Sequence, residues 1–229
     1  MRVSSAAYGA AFHAVLCAFL CTALPKPCSA AITIDLSYVD QQSQTYQRFR
    51  DWVDEAVDGN PDYGFSATDA ATMYRITGEP QYATLAVQMV EQQVSDAEAA
   101  IANHDAPDVA GDSYLYVGDM IGDLAITYDW CSDFVTSDQR TRWTAYAAQA
   151  VSNVWDPDNA QWGGQPFPWS GWSIDDPANN YFYSFLEATM LWTLAEDSTP
   201  WMDFLDTVKI PLLTSYFADI DGEIGRAHV

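Results

Sequence analysis

Apolar residues recur at three- and four-residue intervals along most of this chain, and no stretch sustains the alternation of a half-buried strand. A chain patterned this way buries its apolar stripes by packing helix on helix. Tyr46, Phe49, Trp52, Val53, Ala56 and Val57 mark a first helix, and the turn residues from Asp58 to Asp62 end it. A second runs from Ser66, a natural N-cap, to Ile76, with Gly78 closing it. Pro80 suits the first turn of a third, which carries Tyr82, Leu85, Ala86, Met89 and Val90. A fourth covers about Leu115 to Trp130. Thr136 and Gln139 form a capping-box pair for a fifth, through Trp155. A sixth spans about Asn179 to Leu194, and a seventh about Pro200 to Ala218, which Pro211 is expected to kink or split. Ala31 to Leu36 is the only strand-like piece.

The helices fall into a repeat. Asp69 to Tyr74, Asp123 to Tyr128 and Glu187 to Trp192 each read as an acid, then small and apolar residues, then an aromatic five positions on. Each is followed by a turn and another helix. Helical hairpins of this kind must cover their apolar faces with one another, so they stack or close into an array. The fold class expected is all-α, built of helical hairpins.

Both ends stand apart from that pattern. Arg2, an apolar run from Ala10 to Leu24 and the small residues Cys28-Ser29-Ala30 predict a secretory signal over 1–30, cut before Ala31. The run is broken by His13 and is shorter than the ~20 residues of a membrane span. The expected location is secreted or periplasmic, with no membrane partner after cleavage. Cys17, Cys21 and Cys28 fall in the signal, which leaves Cys131 and no intrachain disulfide. Cys131 reads as a buried structural thiol rather than a nucleophile. At the other end, residues 223–229 (Glu-Ile-Gly-Arg-Ala-His-Val) show no helical or strand logic. They read as the translation of a common short-read sequencing adapter, whose next triplet is a stop. The natural gene is therefore expected to continue past codon 222. The window 31–222 holds six basic residues against 31 acidic ones, a net charge of −25. Such a surface excludes nucleic acid as a partner, because phosphates need Lys and Arg. With 49% hydrophobic and 14% aromatic residues, the chain is not a disordered one.

Two long connections interrupt the hairpins, His104 to Ser113 and Asp156 to Pro177. Long irregular segments in a compact domain are commonly functional. The second carries Trp162, Phe167, Trp169 and Trp172 and leads into Asn179-Asn180-Tyr181-Phe182-Tyr183. Trp and Tyr rings stack on sugars while their polar tips still hydrogen-bond. Two amides at a helix start suit a bound carboxylate. A Trp-rich loop packed on the hairpins, with Asn179 as an ordinary N-cap, explains the same residues equally well. Asp105, Asp108 and Asp112 read as a solvated acidic turn, as do Asp156 and Asp158, where Ala160 stands in place of a third calcium ligand. No metal and no cofactor are expected. His104 reads as a surface residue. The Asp175-Asp176 pair is weak as a glycosidase dyad, since adjacent side chains rarely point the same way.

The run from Asp176 to Ala188 (Asp-Pro-Ala-Asn-Asn-Tyr-Phe-Tyr-Ser-Phe-Leu-Glu-Ala) resembles the Asn-Asn segment of the heparinase II/III-like and alginate-lyase-like polysaccharide lyases. Gly118 to Trp130 is similar to an earlier helix of the same proteins, and the hairpin layout agrees from about Asp40 to Gly222. The resemblance implies an incomplete (α/α) toroid over 31–222, in proteins where a β-sandwich domain normally follows. It implies β-elimination on a uronic-acid polysaccharide, in which a base takes the proton α to the carboxylate and the glycosidic oxygen leaves. Asn180 would hold the substrate carboxylate, and such donors stabilise the developing enolate. Tyr181 stands where many members have His, so the base is open; a phenol near pKa ~10 is a poor base unless shifted. A further Tyr of the family would fall beyond Asp221-Gly222. Asn179, Trp169, Trp172 and Tyr183 would line the substrate. The charge points to a modestly charged uronate polymer, or to a salty habitat, rather than a heavily sulfated glycan. A glycoside hydrolase on a similar helical toroid and a non-catalytic carbohydrate-binding protein are the competing expectations.

Overall fold

The computed structural model describes residues 32–227. Local capping sets most of its helix boundaries. The Ser43 hydroxyl accepts the Tyr46 N–H at 3.2 Å and opens α1 (Gln44–Val57). Asp69 reaches back to the Ser66 N–H at 2.9 Å and opens α2 (Ala67–Thr77), which ends at Gly78 in the left-handed region, φ +73°. Pro80 begins α3 (Pro80–Ala102). After α4 (Val117–Trp130), Thr136 and Gln139 cap each other's backbone at the start of α5 (Ser137–Trp155). The Asn179 side chain accepts the Tyr181 N–H at 3.0 Å and opens α6 (Asn180–Glu196).

The seventh helix is divided, but upstream of the proline that divides it. α7 (Thr199–Phe204) passes through a π-helical turn (Leu205–Lys209) into α8 (Ile210–Ala227). Pro211 has no N–H for the carbonyl of Thr207, and the wider turn absorbs the mismatch before the ring is reached. α8 runs helically through Ala227, although residues 223–227 carry no helical pattern; a helix already under way is extended at one bond per residue. The strand-like piece expected at Ala31 to Leu36 forms no strand over residues 32–36, and Ala31 itself, like the signal expected over 1–30, lies outside the described residues. Residues 32–36 find no neighbouring strand to pair with, and the segment is fixed at Ile32 by side chains instead. Strand pairing appears in the Asp156–Pro177 connection, where β1 (Gln161–Trp162) and β2 (Gln165–Pro166) form a two-residue antiparallel ladder. Gly163 and Gly164, both at positive φ, supply its turn.

The first helices of the three hairpins, α2, α4 and α6, lie side by side in that order. α3 and α5 pack against them and against each other, and α1 lies on α2 and α3. The main core is filled by Val90, Val94, Ile121, Leu124, Trp143, Val151, Phe185 and Trp192. Each large apolar side chain buried here stabilises the fold by about 1.5–3 kcal/mol. Arg142 on α5 ties the α3–α5 layer, donating to Glu91 at 2.6 Å and in a fork to Glu98.

The α4–α6 contact is the tightest, because α4 presents Gly118 and Gly122 to α6. A Cβ on Gly118 would stand 2.9 Å from the Ser184 carbonyl oxygen, and one on Gly122 would stand 3.2 Å from Leu191 Cδ1. Alanine ordinarily stabilises a helix interior by about 1 kcal/mol relative to glycine. At Gly118 the clash is with the backbone of a packed helix, which cannot step aside, so the sign reverses. Gly118→Ala is expected to destabilise the chain by roughly 1–3 kcal/mol, read as a lower urea midpoint at unchanged m-value.

Candidate functional site

Ser184 stitches α6 to α4. Its hydroxyl accepts the Gly118 N–H at 2.8 Å and donates to the Leu115 carbonyl at 2.6 Å. Two groups of chemically competent side chains lie on either side of this stitch, one toward the start of α6 and one a turn further on.

Toward the start of α6, the Tyr181 phenol donates to Asp112 Oδ1 at 3.0 Å, and the Trp172 ring lies 5.0 Å from the Tyr181 ring. Trp172 is 51% exposed, a large indole face open to solvent. The hydrogen bond to Asp112 holds the Tyr181 phenol above the ordinary tyrosine range, helped by desolvation and by the charge of Asp112. Asp112 reaches this position through a strained turn. Asp112, Ser113 and Tyr114 have φ of +44°, +55° and +65°, a run of three non-glycine residues in the left-handed region, at about 1–3 kcal/mol each. The turn is held by Tyr114, which is fully buried and whose hydroxyl accepts from Trp162 Nε1 at 3.2 Å and Asn153 Nδ2 at 3.3 Å. Burial pushes the Tyr114 phenol up to about 12.

The loop bearing Trp172 is anchored on both sides. Trp169 packs between Tyr114 and Phe185 and donates its indole N–H to the Asn153 carbonyl at 2.8 Å. Lys209, only 3% exposed on the π-helical turn, donates to the Ile174 carbonyl and to Asp175 Oδ1, both at 2.7 Å, with its ammonium 4.3 Å from the Trp155 ring. Burial pulls the Lys209 pKa down, and Asp175 opposes that shift. Asp176 accepts the Ala178 N–H at 3.1 Å. Asp175 and Asp176 thus serve different partners, Lys209 and the Ala178 N–H.

Among the residues singled out from sequence, Trp172 and Tyr181 come together, with Asn180 exposed beside them as the first residue of α6. Asn179 is the N-cap. Trp169 packs the loop. Tyr183 lies about 200° around the helix from Tyr181 and donates to the Pro177 carbonyl at 2.9 Å. Asp156 takes both of its side-chain contacts from the Asn159 amide, and His104 is exposed. Cys131 is buried, and burial pushes its thiol up to about 12, so it carries no thiolate at neutral pH.

On the far side of the stitch is a cavity of about 470 Å³, lined by Ser66 and Thr68 from α2 and its cap, Asp119 and Asp123 from α4, and Glu187 and Leu191 from α6. Asp123 Oδ1 accepts the Thr68 N–H at 3.0 Å, so a residue of the second hairpin caps the first helix of the hairpin before it. Burial holds the Asp123 carboxyl above the usual range despite that bond. The Glu187 carboxyl is also raised, by desolvation first and then by the charges of Asp119 and Asp123. Among the described residues no basic side chain pairs with Asp119, Asp123 or Glu187, and no cluster of His, Cys, Asp and Glu is arranged to hold a metal ion. Asp123 and Glu187 are the leading acids of the second and third repeat units. Their shared position in the repeat was the signal that they converge, and sequence reasoning passed over it.

Comparison with protein-family models, with curated proteins and with solved structures finds no match. Among the described residues no helix is long and apolar enough to cross a membrane.

The acidic cavity has a signature in pH. Below the ordinary glutamate pKa of about 4.3, Glu187 is neutral folded or unfolded and its neighbours cost nothing. As pH rises through its elevated folded pKa, it must ionise beside Asp119 and Asp123, and stability falls. Glu187→Gln removes that cost. Its melting temperature is expected to match the wild type near pH 4 and to exceed it increasingly toward pH 7, checked by thermal melts across that range.

Proposed function

We propose that the chain is a secreted, glycan-processing protein of the heparinase II/III-like and alginate-lyase-like kind, an incomplete (α/α) toroid acting on a uronic-acid polysaccharide by β-elimination. The ordered packing of α2, α4 and α6, with α3 and α5 against them, is compatible with an arc of such a toroid. The observation that carries the reading is the exposed Trp172 against the half-buried Tyr181, whose phenol is bound to Asp112, beside the exposed Asn180. Trp172 offers an apolar face to a sugar ring. The Asn180 amide, at a helix start where backbone N–H groups are free, suits the substrate carboxylate and the enolate charge that develops on it. Because Asp112 keeps Tyr181 protonated, the phenol suits delivery of a proton to the leaving glycosidic oxygen rather than removal of the α proton.

A second reading has its own observation. Glu187, raised by desolvation first and then by the charges of Asp119 and Asp123, is a cavity carboxyl suited to act as general acid opposite a second carboxyl, the arrangement of a glycoside hydrolase.

Incubating the protein expressed from the natural gene with a panel of uronic-acid polymers separates the readings. A lyase produces an unsaturated uronyl end that absorbs in the ultraviolet, and Asn180→Ala is expected to lower that rate about 100-fold or more while leaving the circular dichroism unchanged. Reducing ends without ultraviolet absorbance, abolished by Glu187→Gln and indifferent to Asn180→Ala, would establish the hydrolase instead. Retention of polymer with neither product would leave a carbohydrate-binding protein.

A further inference from the structure

Asn153 stands two residues before the end of α5 and is 1% exposed. Its side chain is saturated. Nδ2 donates to the Gln161 carbonyl at 2.9 Å and to the Tyr114 hydroxyl at 3.3 Å. Oδ1 accepts the Gln161 N–H at 3.0 Å and the Gln149 amide at 2.7 Å. Two donors and an oxygen with two lone pairs are all that a carboxamide has to offer. Gln161 opens β1, and its ladder partner Pro166 has no N–H to give. Asn153 takes both main-chain groups of Gln161, as a neighbouring strand would. Its own carbonyl would ordinarily accept the N–H four residues on, but that residue is Pro157. The Trp169 indole N–H takes that place at 2.8 Å.

Each contact leads to a different part of the candidate site. Tyr114 ends the left-handed run that carries Asp112 to the Tyr181 phenol. Trp169 stands three residues before Trp172, whose ring lies 5.0 Å from that of Tyr181. We propose that Asn153 is a positioning residue for this site: through Tyr114 its amide sets the turn that brings Asp112 to Tyr181, and through Trp169 its carbonyl seats the loop that presents Trp172. One buried residue then aligns the proton donor and the sugar platform with each other. Its effect on turnover rests on the lyase reading of the site; its effect on Tyr181 does not.

The titration of Tyr181 reads the first arm without any substrate. In protein carrying 13C at tyrosine Cζ, the Tyr181 signal is identified as the one lost in Tyr181→Phe. Asp112 and Tyr116 are the groups whose charge acts on it. The native phenol is expected to titrate above the ordinary value of about 10. Tyr114→Phe keeps the ring and removes the hydroxyl; Asn153→Asp keeps the acceptors and removes both donors. Each is expected to bring the Tyr181 titration down toward the ordinary value. With a uronic-acid polymer, Tyr114→Phe is expected to lower kcat by about 10- to 100-fold at little cost in KM. Trp169→Phe, which cuts the second arm, is expected to raise KM by about 2- to 10-fold with kcat kept. An unchanged Tyr181 titration in both Tyr114→Phe and Asn153→Asp overturns the proposal, whatever the polymer shows. So do variants that lose melting temperature alone, with native titration and kinetic constants, since that is the mark of a merely structural residue. A lowered titration in a protein that cleaves no polymer upholds Asn153 as the organiser of the ring pair and overturns the lyase reading alone. Should Asn153→Asp fail to fold, Tyr114→Phe answers by itself.

Discussion

Gly118 and Gly122 let the backbone of α4 come against α6, and the rest of the candidate site follows from that approach. A side chain at either position would hold the helices apart, and Ser184 could not then bridge the Gly118 N–H and the Leu115 carbonyl. With the bridge in place, Asp112 comes within reach of Tyr181, and Asp119 and Asp123 face Glu187 across the same seam. One pair of missing Cβ atoms thus registers an aromatic face and an acidic cavity at once. Specific polar bonds then fix what close packing permits.

The seam also collects local costs. The left-handed run at Asp112, Ser113 and Tyr114 and the like charges around Glu187 are both unfavourable by themselves. They persist because Tyr114 is buried and doubly hydrogen-bonded, and because the core beneath α4 and α6 is filled by Phe185 and Trp192. Backbone strain and perturbed carboxyls of these kinds cluster at functional sites but also arise in structural networks, and here they lie on the two sides of the Ser184 stitch.

Most of the helical framework was legible because its determinants are local. Ser66 with Asp69, Thr136 with Gln139, Gly78 and Pro80 act within a turn of chain, and pattern alone locates them. The two-residue ladder had a local sign as well, the Gly163-Gly164 pair, but it is too short to show alternation. The candidate site was half legible. Trp172, Tyr181 and Asn180 stood out by type and adjacency, whereas Asp112 is 69 residues from Tyr181 and looked like a solvated turn. Lys209 could not be foreseen as the anchor of the Trp172 loop. Its partners, Ile174 and Asp175, are more than thirty residues away, and its burial depends on Trp155 and Phe204 closing around it.

The bond from Thr68 to Asp123 has a consequence for how the array is made. The first free N–H groups of α2 are satisfied by a carboxylate that lies 55 residues later, on the second hairpin. A ribosome delivers α2 and α3 well before α4. Until α4 emerges, α2 has its own Ser66–Asp69 capping box, but the Thr68 N–H has no Asp123 to bind. The start of α2 is thus completed from the second hairpin, as the Gly118 N–H near the start of α4 is taken by Ser184 of the third, so the hairpins are tied at their helix starts as well as through the core.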